Sequence, residues 1–344
     1  MIARRWKMLA VAGAVLALFA SACGDSSGAK AATTTTGPTT TTAAATTTVA
    51  TTVPRPVRDV TIMLPGLPGA AAGGYFAAAS PAIQSKYFLN IKLTQAGQGV
   101  FNTIPQVASG AAQFSLSSTA NILTGRGQKI PVVEVFAGYN YPTCFMSHPE
   151  SNIKTFADLN GKTVAVTPGS AYWLYIKAKY KLDAVKEVAY TGGIGPWVAD
   201  KNLIQQCVSL NEPYLADQQK VPHSELLVSD SGFNPYQNIL FTTEDTIKNQ
   251  TQLVKDVVAA VAEGWKTYLA DPTATNQSMI KAGSDQTEDQ MKFVVAALKG
   301  GLMPSNIGIT DPTRVETLYN QLREVNVLTA DLDFKAAYTN DYVP

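Results

Sequence analysis

The chain has 344 residues, a formal net charge of +1 and a 46% hydrophobic composition, so it can bury one large core or two medium ones. A balance this close to neutral excludes a basic nucleic-acid binder. Its two histidines, His148 and His223, and its three cysteines show neither His-x-x-x-His nor Cys-x-x-Cys spacing. Metal catalysis is therefore not expected, and neither is a cofactor.

Residues 1–22 read as an export signal: Arg4, Arg5 and Lys7 precede an apolar run over 8–20 and the small pair Ser21 and Ala22. The run is too short for a comfortable membrane span. Small residues before Cys23, with Gly24, Asp25, Ser26 and Ser27 after it, are similar to a bacterial lipobox, except that Ala20 stands where Leu is usual. Cys23 is accordingly expected to carry lipid and anchor the chain to a membrane. The Arg4–Arg5 pair is read as part of a general secretion signal, because its flanks do not suit twin-arginine export. Residues 23–56, mostly Thr and Ala up to Val53, lack the large apolar side chains that offset ordering entropy and read as a disordered tether, with its threonines as candidate glycosylation sites.

From residue 57 the pattern is strand, loop, helix, repeated. A β-branched alternation over 57–64 is the first strand, broken by the Pro- and Gly-rich 65–69, and 70–87 reads as a helix. Strands follow at 89–94, 113–117 and 131–138, with helices ending at Ser109 and spanning 120–124. The last of these strands is nearly all apolar, as one buried on both faces should be. A second series has strands at 143–147, 162–166, 185–190 and 206–210 and helices at 153–159, 171–180 and 195–202. Later strands are expected at 226–229 and 239–242, then long amphipathic helices at 251–269, 273–282, 288–300 and 312–325. The implied fold class is α/β with largely parallel sheets, in two lobes: 57–141 plus 242–344, and 142–241. Crossovers fall near 139–142 and 241–244, with a ligand cleft between the lobes.

Open α/β sheets bind ligands beyond the carboxyl ends of their strands, and four such ends carry polar or aromatic groups. They are 64–69 with Leu67; Ser117, Ser118 and Thr119; 167–173 with Gly169, Ser170, Tyr172 and Trp173; and 211–214 with Glu212 and Tyr214. Each has a plainer reading: Ser170, Ser118 and Thr119 as helix caps, and Glu212 as a salt-bridged or solvated carboxylate. Tyr75, Phe76, Tyr139, Trp197 and the aromatics just named exceed what loops usually carry, which favours a flat heterocyclic ligand, although some of these rings belong to the core. Trp265, among apolar neighbours at helical spacing, is assigned to packing. Pro213 is expected to hold Glu212 extended. Cys144 and Cys207 lie on strands of the second lobe and are either disulfide-bonded or separate buried thiols.

The chain resembles the extracytoplasmic solute-binding proteins of ABC importers, in the group for nitrate, sulfonate, taurine and thiamine precursors. The residues that carry this are the Gly73-Gly-Tyr-Phe76, Gln106–Phe114, Ile153–Val166, Asn211-Glu-Pro-Tyr214, Glu263-Gly-Trp265 and Thr339–Tyr342 stretches, in order from about residue 57 onward. The resemblance implies a type II periplasmic-binding fold, a monomer that closes on a small solute without chemistry, and delivery to an ABC permease. An exported sensor is an alternative. Eukaryotic thiamine-pyrimidine synthases share the fold, but they use an active-site histidine and a cysteine cluster in the cytosol, and this chain has no such cluster.

Overall fold

The Val60, Ile62 and Leu64 alternation makes Arg58–Leu64 a strand, β1, buried on the face that those residues share. The computed structural model describes residues 55–97 and 102–344. The export signal, Cys23, the tether up to residue 54 and residues 98–101 lie outside the described residues. After β1 come α1 (Gly73–Ala78), α2 (Pro81–Tyr87), β2 (Leu89–Gln95), α3 (Ile104–Ala108), β3 (Phe114–Ser118), α4 (Thr119–Gly127), β4 (Val132–Phe136) and β5 (Tyr139–Asn140). The second series is β6 (Thr143–Ser147), β7 (Thr163–Val166), α5 (Ala171–Tyr180), β8 (Lys186–Ala189), α6 (Gly195–Ala199), β9 (Leu203–Val208), α7 (Glu212–Gln218) and β10 (Ser224–Leu227). The chain then returns through β11 (Tyr236–Thr243), α8 (Glu244–Asn249), α9 (Thr251–Ala270), α10 (Thr273–Lys281), α11 (Glu288–Ala297) and α12 (Pro312–Glu324).

Two mixed sheets result, not two largely parallel ones. The first has the order β2-β1-β3-β11-β4, with β5 also on β11; the second is β10-β6-β9-β7-β8. β1 is parallel to β2 and β3, but β11 runs antiparallel to β3, β4 and β5. β7 is parallel to β8 and β9, whereas β6 is antiparallel to β9 and β10. A strand that re-enters from the other lobe arrives from the opposite end, so it pairs antiparallel where a βαβ unit would pair parallel. Because β11 starts at Tyr236, the return crossover is 228–235 and not 241–244, and residues 236–241 pair in the first sheet.

The expected helix over 70–87 is broken into a 3-10 turn at Ala70–Ala72, α1 and α2. Pro81 interrupts the ladder and opens α2 at its first turn, where its missing N–H costs nothing. α1 and α2 pack on α9, and the crossing of α1 with α9 is glycine-on-glycine: a Cβ on Gly264 would stand 2.2 Å from the Gly74 carbonyl oxygen. One on Gly74 would stand 2.1 Å from the Trp265 ring. Trp265 is fully buried and meets Tyr75, Tyr139 and Tyr268 edge-on. Gly264→Ala is expected to force the helices apart and destabilise the fold by about 1–3 kcal/mol, or more; an unchanged thermal midpoint would contradict it.

One core cluster is built on the first lobe, with Leu210 of the second lobe packed into it. A second joins the lobes, combining Ile104, Ile122 and Val132 with Phe145, Val164 and Trp173 and with Val315, Leu318 and Leu322 of α12. α12 thus lies against α4 of one lobe and α5 of the other. Among the described residues no helix is long and apolar enough to cross a membrane.

Candidate functional site

The first wall is built at the carboxyl ends of β1 and β3. Pro65 to Gly69 leave β1 and, with Leu116, Asn238, Asp285 and Gln286, line a pocket of about 260 Å³. Asn238 sits at an irregularity of β11 with φ 52°. Its backbone oxygen accepts from Tyr75 Oη at 2.6 Å, and its Nδ2 donates to Ala71 O at 2.8 Å. Gln286 Oε1 accepts from Ala70 N at 2.8 Å. These bonds hold the pocket's polar rim in place, while Leu67 projects above it, 53% exposed.

The hydroxyls expected beside this pocket are committed elsewhere. Ser118 Oγ caps α4, accepting from Asn121 N at 3.3 Å, and Ser117 Oγ accepts from Asn121 Nδ2 at 3.2 Å. Thr119 Oγ1 donates to Glu134 Oε2 at 2.8 Å, and Thr310 Oγ1 donates to Glu134 Oε1 at 2.7 Å. Glu134 is fully buried on β4. Desolvation pushes its carboxyl up to about 7, against the opposing effect of the two threonines and of Arg314. All three strand-end hydroxyls are buried, Ser118 as the α4 cap and Ser117 and Thr119 in side-chain hydrogen bonds.

The second wall is at the carboxyl ends of β7, β8 and β9. Thr167, Pro168 and Gly169 are exposed, and Gly169 adopts φ 72°, which glycine takes without strain. Ser170 occupies the N-cap position of α5 but makes no side-chain cap bond; its Oγ donates back to Thr167 O at 2.8 Å. Tyr172 Oη donates to Gln206 Oε1 at 2.6 Å, and the same oxygen takes Thr167 N–H. Glu212 is buried and saturated, accepting from Tyr190 Oη at 2.6 Å, Val208 N at 2.7 Å and Asn211 Nδ2 at 2.9 Å. Burial, then the Glu212 carboxylate, raises the Tyr190 phenol far above its ordinary range. Glu212 and Pro213 form the first turn of α7, so Glu212 is helical, not extended.

Most of the aromatic residues expected to flank a ligand are packing residues. Trp173 and Trp197 have no exposed surface: Trp173 lies against Phe145, and Trp197 stacks on His148 at 4.0 Å. Tyr75, Phe76, Tyr139 and Tyr172 are also buried. Tyr214 instead bridges the lobes, its ring 5.3 Å from that of Phe293 and its Oη 3.4 Å from Thr287 Oγ1. Gln290 Nε2 adds a bond to Asn211 Oδ1 at 2.9 Å. Since Thr287 directly follows the pocket residues Asp285 and Gln286, these contacts bring the start of α7 to the rim of the first wall.

Sequence reading missed Tyr190, Gln206, Asn238, Gln286 and Glu134. Tyr190 obeys the strand-end rule used for its neighbours and was open to discovery; Asn238 and Gln286 depend on long-range pairing that no local pattern records. Cys144 and Cys207 are cross-strand neighbours of β6 and β9 and are joined as a disulfide.

The family described as NMT1/THI5 like matches residues 70–275. A riboflavin-binding protein, RibY, of Chloroflexus aurantiacus is 27% identical over 296 residues, covering 80% of this chain and 81% of that protein. The periplasmic aliphatic sulphonate binding protein SsuA of Escherichia coli superposes with a TM-score of 0.63 at 13% identity, over 81% of this chain and 91% of that one. The alkanesulfonate-binding protein SsuA of Xanthomonas axonopodis pv. citri, bound to MOPS, gives a TM-score of 0.61 at 10% identity, over 83% and 99%. The two α/β lobes are thus of the periplasmic-binding-protein fold, and with its family match spanning both of them the chain belongs to the NMT1/THI5-like family.

Proposed function

We propose that this chain is the solute-binding component of an ABC importer, exported, anchored through lipidated Cys23 and acting as a monomer without catalysis. It captures an uncharged, flat organic solute between its lobes and presents it to a permease. The observation that carries the choice of solute is charge. Among the described residues lining the 260 Å³ pocket there is no Lys or Arg, and the carboxylate Asp285 is there. The facing strand ends, 167–170, 190–193 and 211–214, add Glu212 and no cation. A sulfonate would enter with no counter-charge and lose its hydration, a cost that grows in a closed, low-dielectric cleft. A heterocyclic ring instead meets Leu67, Pro65 and Pro68 with amide rims at Asn238 and Gln286, the mixed apolar and polar lining that small-molecule pockets favour. The two histidines stand apart from this cleft: His148 is under Trp197, and His223 is beside Glu225.

Capture works by population shift, since a solute touching both walls stabilises the closed arrangement by its differential contacts. Calorimetric titration with riboflavin as the flat probe and an alkanesulfonate as the anionic one tests the reading. Stoichiometric binding of the flat probe is expected, with none of the sulfonate. Preference for the sulfonate, or turnover of either probe, would overturn it. Leu67→Ala should weaken the flat probe by about tenfold, the worth of one buried aliphatic side chain, without shifting the thermal midpoint.

A further inference from the structure

α12 carries a half-buried arginine that the solute cleft does not use. Arg314 Nη1 donates to Asn140 Oδ1 at 2.7 Å, on the outgoing crossover. Its Nη2 donates to Asn234 Oδ1 at 2.7 Å and to Pro235 O at 3.0 Å, and its Nε to Asn234 O, all on the return crossover. The guanidinium lies 3.6 Å over the Tyr236 ring. Asn234 Oδ1 also takes the Tyr141 N–H at 3.1 Å, and Asn140 Nδ2 reaches Gly301 O at 3.1 Å. Where β5 and β11 pair at Asn140 and Tyr236, one planar fork therefore adds a second tie between the two inter-lobe connections and joins them to a helix that packs on both lobes.

The charge of Arg314 makes this arrangement specific. Burial lowers its pKa against the opposing effect of Tyr236, and the carboxylates that act on it, Glu134 and Asp311, follow behind. A half-buried cation whose hydrogen bonds all go to Asn140, Asn234 and Pro235 loses them when those segments shift relative to each other, keeping only its stacking on Tyr236. Lysine, a point charge on a flexible stem, cannot reproduce the fork.

We propose that Arg314 is the positioning residue of the hinge, a staple that fixes the two crossovers in one relative setting and so sets the resting opening of the lobes. The link to uptake rests on the solute-capture reading above; the staple itself does not, and its test is made without ligand. Hydrogen exchange and small-angle scattering are measured on the ligand-free protein for wild type, Arg314→Lys and the milder Asn140→Ala, which removes one arm and remains informative if the lysine variant does not fold. Both folded variants should exchange the Tyr141 amide faster, by about tenfold for Arg314→Lys, as expected for one lost charge-assisted bond. The lobe separation seen by scattering should change, while exchange in α9 stays as in wild type. Wild-type exchange at Tyr141 and an unchanged scattering profile in the folded variants would overturn the proposal. Uniformly faster exchange throughout the protein, α9 included, would also overturn it, because that is loss of stability and not of a staple. Riboflavin is then titrated into each: a shifted Kd in the variants extends the staple to capture, and failure of wild type to bind sinks the solute reading while the ligand-free readouts still decide the hinge.

Discussion

Replacing Cys144 and Cys207 together by alanine is expected to lower stability by about 4 kcal/mol. The bridge joins β6 to β9 across a sequence separation of 63, and closing a loop of that size removes about that much chain entropy from the unfolded state. Both residues are buried, so the alanines add a small cavity cost to the same side of the balance. In a chain this long the thermal midpoint should fall by roughly 10 °C. Scanning calorimetry of the double variant beside wild type measures it, and intact mass under non-reducing conditions verifies the bond in the parent. The effect should concentrate in the second lobe, where β9 also holds Gln206 and Val208, the partners of Tyr172 and Glu212. If the double variant melts with wild type, the bond does not constrain the unfolded chain in the way the loop length requires.

The strands were legible because β-branched runs bounded by Gly and Pro have few other readings, and the two-lobe division followed from their repetition. Strand direction was not legible: whether β11 enters parallel or antiparallel depends on which lobe the chain is returning from, and no local pattern encodes that. The same limit governed the disulfide. Two cysteines on strands were visible, but their register across β6 and β9 was not.

Which aromatic residues are buried was not legible for a different reason. At the start of α5 the strand-end rule assigns Tyr172 and Trp173 to the cleft, but helical spacing with Tyr175 and Ile176 assigns them to the core, and all four are buried. An apolar stripe on a helix outweighs a position at its first turn, because burying a large ring is worth more than presenting it to a cleft. The polar strand ends behave alike: Ser118, Thr119 and Glu212 each found a nearby backbone or side-chain partner first. The loop residues that packing did not claim are Leu67 on one wall and Thr167 to Gly169 on the other.

Glu134→Gln should make the protein more stable above neutral pH and flatten its pH profile between about 4.5 and 7. Burial pushes the carboxyl up to about 7 in the fold from an ordinary 4.5, so between those values the folded state holds a proton that the unfolded state has lost. Stability from this group is complete below the unfolded value and disappears as pH rises through the folded one. That gap corresponds to about 3 kcal/mol. The cause is burial on a strand that is otherwise apolar, with Thr119 and Thr310 lying 15 and 176 residues away in sequence. Glutamine keeps both partners, accepting from one threonine and donating to the other's oxygen, and carries no charge to desolvate. Arg314 opposes the shift at longer range, and Tyr75 and Tyr338 feel the carboxylate. Urea midpoints of both proteins at pH 5 and pH 8 give the measurement: wild type should lose stability over that interval, and the variant should lose far less. Parallel losses in the two would mean that Glu134 is already ionised at pH 5, with its threonines and Arg314 outweighing its burial. Leucine at the same position is the contrasting case, since it would leave two buried hydroxyls without an acceptor and lower stability at both pH values.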